Sequence, residues 1–353
     1  MNKLRLITGV FQLWPVTNFV SLNMPIPASI LKTITPSKRI TFFLIIAIGT
    51  IAICSSCDFG KSHIPNIPDP FTTPLGKVYP RHKPSKNLLQ QYQEARIAYE
   101  KDTTNIDLLI WYGRRTAYLG NYKDAIAIYS KGIQMFPGDA RLYRHRGHRY
   151  ISVREFDKAI ADLERGAKLI KDTANEIEPD GMPNAMNIPV STLHGNIWYH
   201  LGLAYYLKHQ YDKAFWAYLN CRESGNNPDN LVSSTHWLYM IQRRLGNKES
   251  ADSLLLPIEL DMEVIENKNY YDLCKFYKGL ISVDSLTRTK DLSAASDAVS
   301  YGLANWYLYE GLQTQGMELL IDITERDSWS SFGYIAAESD LIKMNISERT
   351  ITK

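Results

Sequence analysis

Cysteine is scarce in this chain of 353 residues, and its four copies carry no metal chemistry by spacing. Cys54 and Cys57 close an apolar run and belong with it, which leaves Cys221 and Cys274 far apart, excluding a zinc-type cluster. Net charge of one sign is also missing. The formal value is +3, but residues 1–56 hold Lys3, Arg5, Lys32, Lys38 and Arg39 and no acid. The rest has 35 basic and 37 acidic residues, which argues against a nucleic-acid partner. Catalytic signatures are absent too. There is no HExxH, no Ser-His-Asp order, no paired-carboxylate motif and no Gly-rich nucleotide loop. Gly60-Lys61-Ser62 imitates the tail of a phosphate loop, but the glycine required five residues earlier is Ser55 and no strand precedes it.

What the chain does have is an internal repeat. Leu109-Ile110-Trp111-Tyr112-Gly113, followed by Thr116, Ala125, Tyr129 and Gly132, superimposes after a shift of 34 residues. Its counterpart is Tyr143-Arg144-His145-Arg146-Gly147, followed by Tyr150, Ala159, Leu163 and Gly166. A third copy reads Trp198, Leu201-Gly202, Tyr205, Ala214, Tyr218 and Cys221. The small residues mark where two helices of one unit cross, since a larger side chain would separate them. Cys221 occupies such a position, so a packed free thiol is expected rather than a disulfide. A weaker fourth unit runs from Ser233 through Leu245-Gly246-Asn247 to Ala251 and Leu255, with Tyr239 in place of the small residue. A further helical pair covers about 258–283, a degenerate unit 291–320, and a closing helix begins at Trp329 and Phe332.

These positions and the 34-residue period resemble the tetratricopeptide (TPR) repeat. The resemblance covers about residues 105–325, and the wider arrangement is similar to bacterial TPR lipoproteins. It implies an all-α fold: a right-handed superhelical solenoid of antiparallel helix pairs, with capping helices that cover the end repeats. It adds no activity.

The flanks are read from composition. Ser37-Lys38-Arg39 precedes Ile40–Ile53, 14 residues without charge, short of the roughly 20 a spanning helix needs. Ser55-Ser56-Cys57 follows. This order of positive, apolar and small residues is that of a signal peptide over 1–56. Its end resembles a bacterial lipoprotein box with Cys57 lipidated, although Cys54 stands where leucine is usual. A start at Met24 would give a leader of ordinary length. Residues 57–84 carry the lipidated cysteine and a proline-rich tether, with Pro65, Pro68, Pro70, Pro74, Pro80 and Pro84. The solenoid spans 85–345. Residues 171–193 break the period, and Pro179-Asp180-Gly181 and Pro183 mark them as an insertion able to cover the groove.

In the TPR family the first helix of each pair lines the concave surface. Carried over position by position, this implies a binding face of Arg114, Tyr118, Arg141, Arg144, His148, Tyr199, Tyr206, His236 and Arg243. Arginine forks suit carboxylates, and tyrosines add apolar contact with a polar tip. His145 and His148 lie one helical turn apart, yet a solvated pair is expected rather than a metal site. No cofactor and no metal is expected. The sequence therefore points to a membrane-tethered protein-interaction module in a bacterial cell envelope, lipid-anchored at the outer membrane. Its partner would be a protein or peptide segment, an acidic one by charge, held in the open groove. The alternative is a small-molecule binder or enzyme for an anionic ligand, with a pocket closed by residues 171–193.

Overall fold

Helix starts are written into the sequence as capping residues. Ser85, Asn105, Asp139, Thr192, Asn227 and Ser331 each accept a bond from a backbone N–H of the first turn they precede, satisfying donors a helix leaves orphaned. A computed structural model describes residues 70–79, 83–287 and 294–344. The leader and Cys57 lie outside the described residues.

Helix α1 (Lys86–Lys101) leads into three helix pairs: α2 (Ile106–Tyr118) with α3 (Tyr122–Met135), α4 (Ala140–Ser152) with α5 (Phe156–Leu169), and α6 (Leu193–Leu207) with α7 (Tyr211–Glu223). Next come α8 (Pro228–Arg244) and the short α9 (Lys248–Leu254), then α10 (Lys268–Tyr277) and one turn, α11 (Val283–Leu286). A last pair, α12 (Ala294–Tyr309) and α13 (Gln313–Thr324), precedes the closing helix α14 (Phe332–Lys343). The fold is an all-α array of TPR-type helix pairs. The pair expected over 258–283 contains one full helix, α10, because 259–266 run without one.

The crossings show why small residues recur. A Cβ placed on Gly113 would lie 2.5 Å from the Tyr129 ring, on Gly147 2.7 Å from Leu163, and on Gly202 2.7 Å from the Tyr218 ring. The aromatic or leucine of the second helix fills the space that each glycine leaves. Cys221 and Cys274 are free and buried, and burial pushes the Cys221 thiol up to about 12.

The turns inside each pair repeat as well. Gly120, Gly246 and Gly311 have φ near +80°, a backbone glycine adopts without penalty. At the matching places in the second and third pairs stand Arg154 (φ 64°) and His209 (φ 56°). Both strained residues turn their side chains to the same helix, α14. Arg154 Nε lies 2.8 Å from Glu338 Oε2 and its Nη2 donates to Trp329 O. His209 Nδ1 lies 3.8 Å from Asp340 Oδ1, and Nε2 lies 3.3 Å from Ser339 Oγ. Helix α14 therefore does not merely cover the last repeat. It lies inside the array, where Asp340 also pairs with Arg244 and takes a bond from Tyr301 Oη at 2.8 Å.

The stretch expected as extended tether contains structure. Strands β1 (Phe71–Thr72) and β2 (Val78–Tyr79) form an antiparallel hairpin. Phe71 stacks on Trp329 at 4.3 Å, and Tyr79 Oη lies 2.9 Å from Tyr334 Oη. Aromatic residues at 71 and 79 override the proline content around them.

Candidate functional site

The densest basic stretch of the sequence is α4, with Arg141, Arg144, Arg146 and Arg149. Three of them are neutralised. Arg141 pairs with Asp139 and Asp107, and Arg146 grips Asp162 through Nε and Nη2, both at 2.7 Å. Arg144 Nε lies 3.1 Å from Glu178 Oε2. Arg149 reaches the ring of Tyr122, 5.2 Å from its centroid. Among the described residues no carboxylate forms an ion pair with it. Burial lowers its guanidinium from the ordinary value, and the neighbouring Arg144 adds to the effect.

Glu178 belongs to the insertion, which folds back over the first helices of the pairs. Its carboxylate also takes a bond from Asn196 Nδ2 at 2.8 Å and lies 3.3 Å from His145 Nε2. Three residues on, Arg115 Nη1 donates to Gly181 O at 2.7 Å. A Cβ on Gly181 would run into Tyr118 Oη and stand 2.8 Å from Arg114 Nη2. Asp180 feels the Arg114 charge, although burial is the larger influence and raises its pKa. At its far end the insertion is tied down by Asn184 Nδ2 donating to Glu266 and by Asn227 Nδ2 donating to Val190 O.

The other cover is Phe332, the first residue of α14. Its ring stands 5.3 Å from His148, 5.7 Å from His200 and 6.3 Å from Tyr199. His148 and His200 are themselves 4.3 Å apart. Burial drives His145, His148 and His200 well below the usual histidine range, and the Arg144 and Arg149 charges push further the same way. All three are therefore neutral at pH 7. No cluster of three metal-ligating side chains occurs among the described residues.

Two adjoining cavities remain. One, of about 390 Å³, is lined by Tyr122, His148, Arg149 and Ser152 on one side and Ser330–Gly333 on another. The second, about 320 Å³, runs under Val190–Thr192 of the insertion towards Asn196, Tyr199 and His200. They share Glu266, Asn267, Tyr270 and Phe332.

The residues carried over from the family pattern therefore have different fates. Arg114, Tyr118 and Arg144 lie beneath the insertion, and His148 lines the first cavity. Tyr199 borders the second, bonded to Tyr270 Oη and Trp237 Nε1. Arg141 sits half-exposed in its own ion pairs. Tyr206 and His236 are each 1% exposed. Tyr206 Oη lies 2.9 Å from Tyr301 Oη, and His236 stacks on Tyr270 at 4.7 Å. Arg243 pairs with Glu310 at 2.6 Å and donates to Tyr239. These last three face packed side chains because α10 and α12 occupy the side that an open solenoid leaves free. The positions carried over from the family pattern do not include Arg149. They miss the Ser330–Gly333 wall altogether, since that wall lies far away in the chain.

No protein-family model matches this chain, and no curated protein does. Several solved structures are similar in fold, among them the following two. One is YrrB, described as a TPR protein with an unusual peptide-binding site, at 16% identity and a TM-score of 0.37 over 68% of this chain and 96% of that one. The other is Naa15/Naa10 bound to HypK-THB, at 14% identity and a TM-score of 0.34. That match covers 75% of this chain and 41% of the other.

Proposed function

We propose that the chain is a binding module whose ligand enters the roofed cleft, held at a bacterial envelope membrane by a lipid on Cys57. The observation that carries the cleft is the double cover. Residues 176–192 and Phe332 lie across the face that the first helices share, leaving cavities of about 390 and 320 Å³. Such volumes suit a small molecule or the narrow end of a peptide. A long segment laid along repeats three and four would meet Tyr206, His236 and Arg244 already committed to α10, α12 and α14. The anchor rests on Ser55-Ser56-Cys57 after the apolar run. Among the described residues no helix is long and apolar enough to cross a membrane.

The test is retention. Full-length protein in mild detergent is mixed with a cell extract, desalted and denatured, and released compounds are identified by mass spectrometry. Wild type should retain a discrete small compound or short peptide, and Ser330→Trp, which fills the first cavity, should not, at equal thermal stability. Retention undiminished by Ser330→Trp, or of intact proteins alone, refutes the cleft. Cys57→Ser should abolish fatty-acid labelling, and persistent labelling refutes the anchor.

A further inference from the structure

We propose that the ligand of this cleft carries a carboxylate and that Arg149 is its receptor. The inference rests on the reading of the cleft as the binding site and adds the ligand's chemistry. On α4, Arg141, Arg144 and Arg146 each have an acid within 3.1 Å. Arg149 has the Tyr122 ring and lines a cavity of about 390 Å³. Arg149 is half-buried, and a cation drawn out of water without a counter-charge is costly unless something else supplies one. Glu178 of the insertion does not, because it is held by Arg144, Asn196 and His145.

The rest of the wall favours the same sign. Two helices begin at this cavity. At the start of α10, which contributes Asn269 and Tyr270, the amides of residues 265–267 already donate to the Asp229 carboxylate, whereas Ser331 caps α14, which contributes Phe332 and Gly333. Of the two, α14 therefore adds the partial positive charge, since the first amides of a helix have no partner within it. The flat guanidinium fork matches a carboxylate through two parallel bonds.

Charge decides between anions. Glu266 lies at the rim of the same cavity, its carboxylate bonded by Asn184, and His148 is neutral. One unpaired cation facing one rim carboxylate accommodates a single negative charge better than the double charge of a phosphate monoester. Hydroxyls and amides from Ser152, Ser330 and Asn269 would then meet the polar remainder of the ligand, and Phe332 its apolar part.

Two sources of a carboxylate are separable: a small free acid, and the C-terminus of a peptide. Calorimetry on the full-length chain in detergent would use N-acetyl-alanine and N-acetyl-hexaalanine, each beside its C-terminal amide, with inorganic phosphate as a third probe. At least one acid should bind about tenfold or more tightly than its amide. Tighter binding of the hexapeptide would identify a peptide end, and of N-acetyl-alanine a small acid. Arg149→Gln should remove the difference between acid and amide, while Arg149→Lys, also checked for folding, should keep part of it. Equal affinity for acid and amide, tighter binding of phosphate, or an unchanged acid affinity in folded Arg149→Gln overturns the proposal. If acids and amides both fail to bind while wild type still retains a cell compound that Ser330→Trp loses, the carboxylate is wrong and the cleft stands. If that retention fails as well, both fall.

Discussion

Arg144→Ala should open the insertion. From sequence alone Arg144 sits on a solvated groove, where its loss would leave folding unchanged. In the structure its side chain is 13% exposed and that of Glu178 8%. Truncation would leave Glu178 with Asn196 at 2.8 Å and a neutral His145 at 3.3 Å, neither of which cancels a buried charge. Breaking such a pair on one side costs about 3–5 kcal/mol when the survivor stays buried. Glu178 has an escape, because residues 176–184 can lift into water and give up the Arg115 bond to Gly181. The global loss is then limited to the free energy of opening, and the damage concentrates locally. Hydrogen exchange read by mass spectrometry should rise over residues 174–186 in Arg144→Ala and stay unchanged in α7, with a modest fall in melting temperature. Glu178→Gln removes the stranded charge, so the double variant should recover about 0.5–3 kcal/mol relative to the sum of the singles. Unaltered exchange over the insertion in Arg144→Ala would show that the ion pair does not hold the roof.

Acid should destabilise the protein steeply. The folded state holds His145, His148 and His200 well below their usual range and His236 down to about 3. The unfolded chain takes up these protons near pH 6.5, so it binds more of them as pH falls and stability is lost below that value. Each group contributes about 1.4 kcal/mol per pH unit, and the four together approach about 5 kcal/mol per unit. Urea midpoints should be level above pH 7 and drop sharply between 6.5 and 5; a flat profile would mean that these rings are protonated in the folded state. Gly202→Ala should cost up to about 2 kcal/mol. Helix propensity favours alanine by about 1 kcal/mol, but overpacking costs about 1–3, and Tyr218 cannot retreat from Trp237, stacked at 5°. Gly138→Ala, with nothing within 4 Å of its Cβ, is the control, and equal melting temperatures would refute the crossing argument.

The helix pairs were legible because their signals are local. A cap, a small residue at a crossing and an apolar face every third or fourth position leave their mark within one 34-residue unit, as at Gly113, Gly147 and Gly202. The first helix carries the same local marks, with Ser85 at its start and Tyr92 and Tyr99 on its buried face. The insertion announces itself by breaking the period at Pro179-Asp180-Gly181 and Pro183, which leaves it able to cover the groove. What stayed hidden depends on residues distant in the chain. Nothing local to Tyr206 or His236 says that α10 and α12 will cover them, and nothing local to Phe332 says that it will lie beside His148. The family pattern places side chains on a shared face but is silent on whether that face stays open. Arg149 illustrates the limit, since its lack of an acid partner is visible only when every neighbour is in place.

A stack of helical repeats normally behaves as a line: each unit touches the next, units can be added or removed, and unfolding can travel inward from either end. Arg154 bonded to Glu338 and Tyr79 bonded to Tyr334 make this one a circle. The first helix, α1, still packs on α2 and can fray from it, but the part closed by α14 should melt in one step. Removing the last helix would not shorten it but cut it open, stranding Arg154 and Arg244 without their acids. The same connectivity suits the chain to circular permutation. With residues near 79 held beside residues near 334, a short linker could join the two ends of the described body, and new termini could be cut at an exposed turn such as Pro137-Gly138 with the circle still intact.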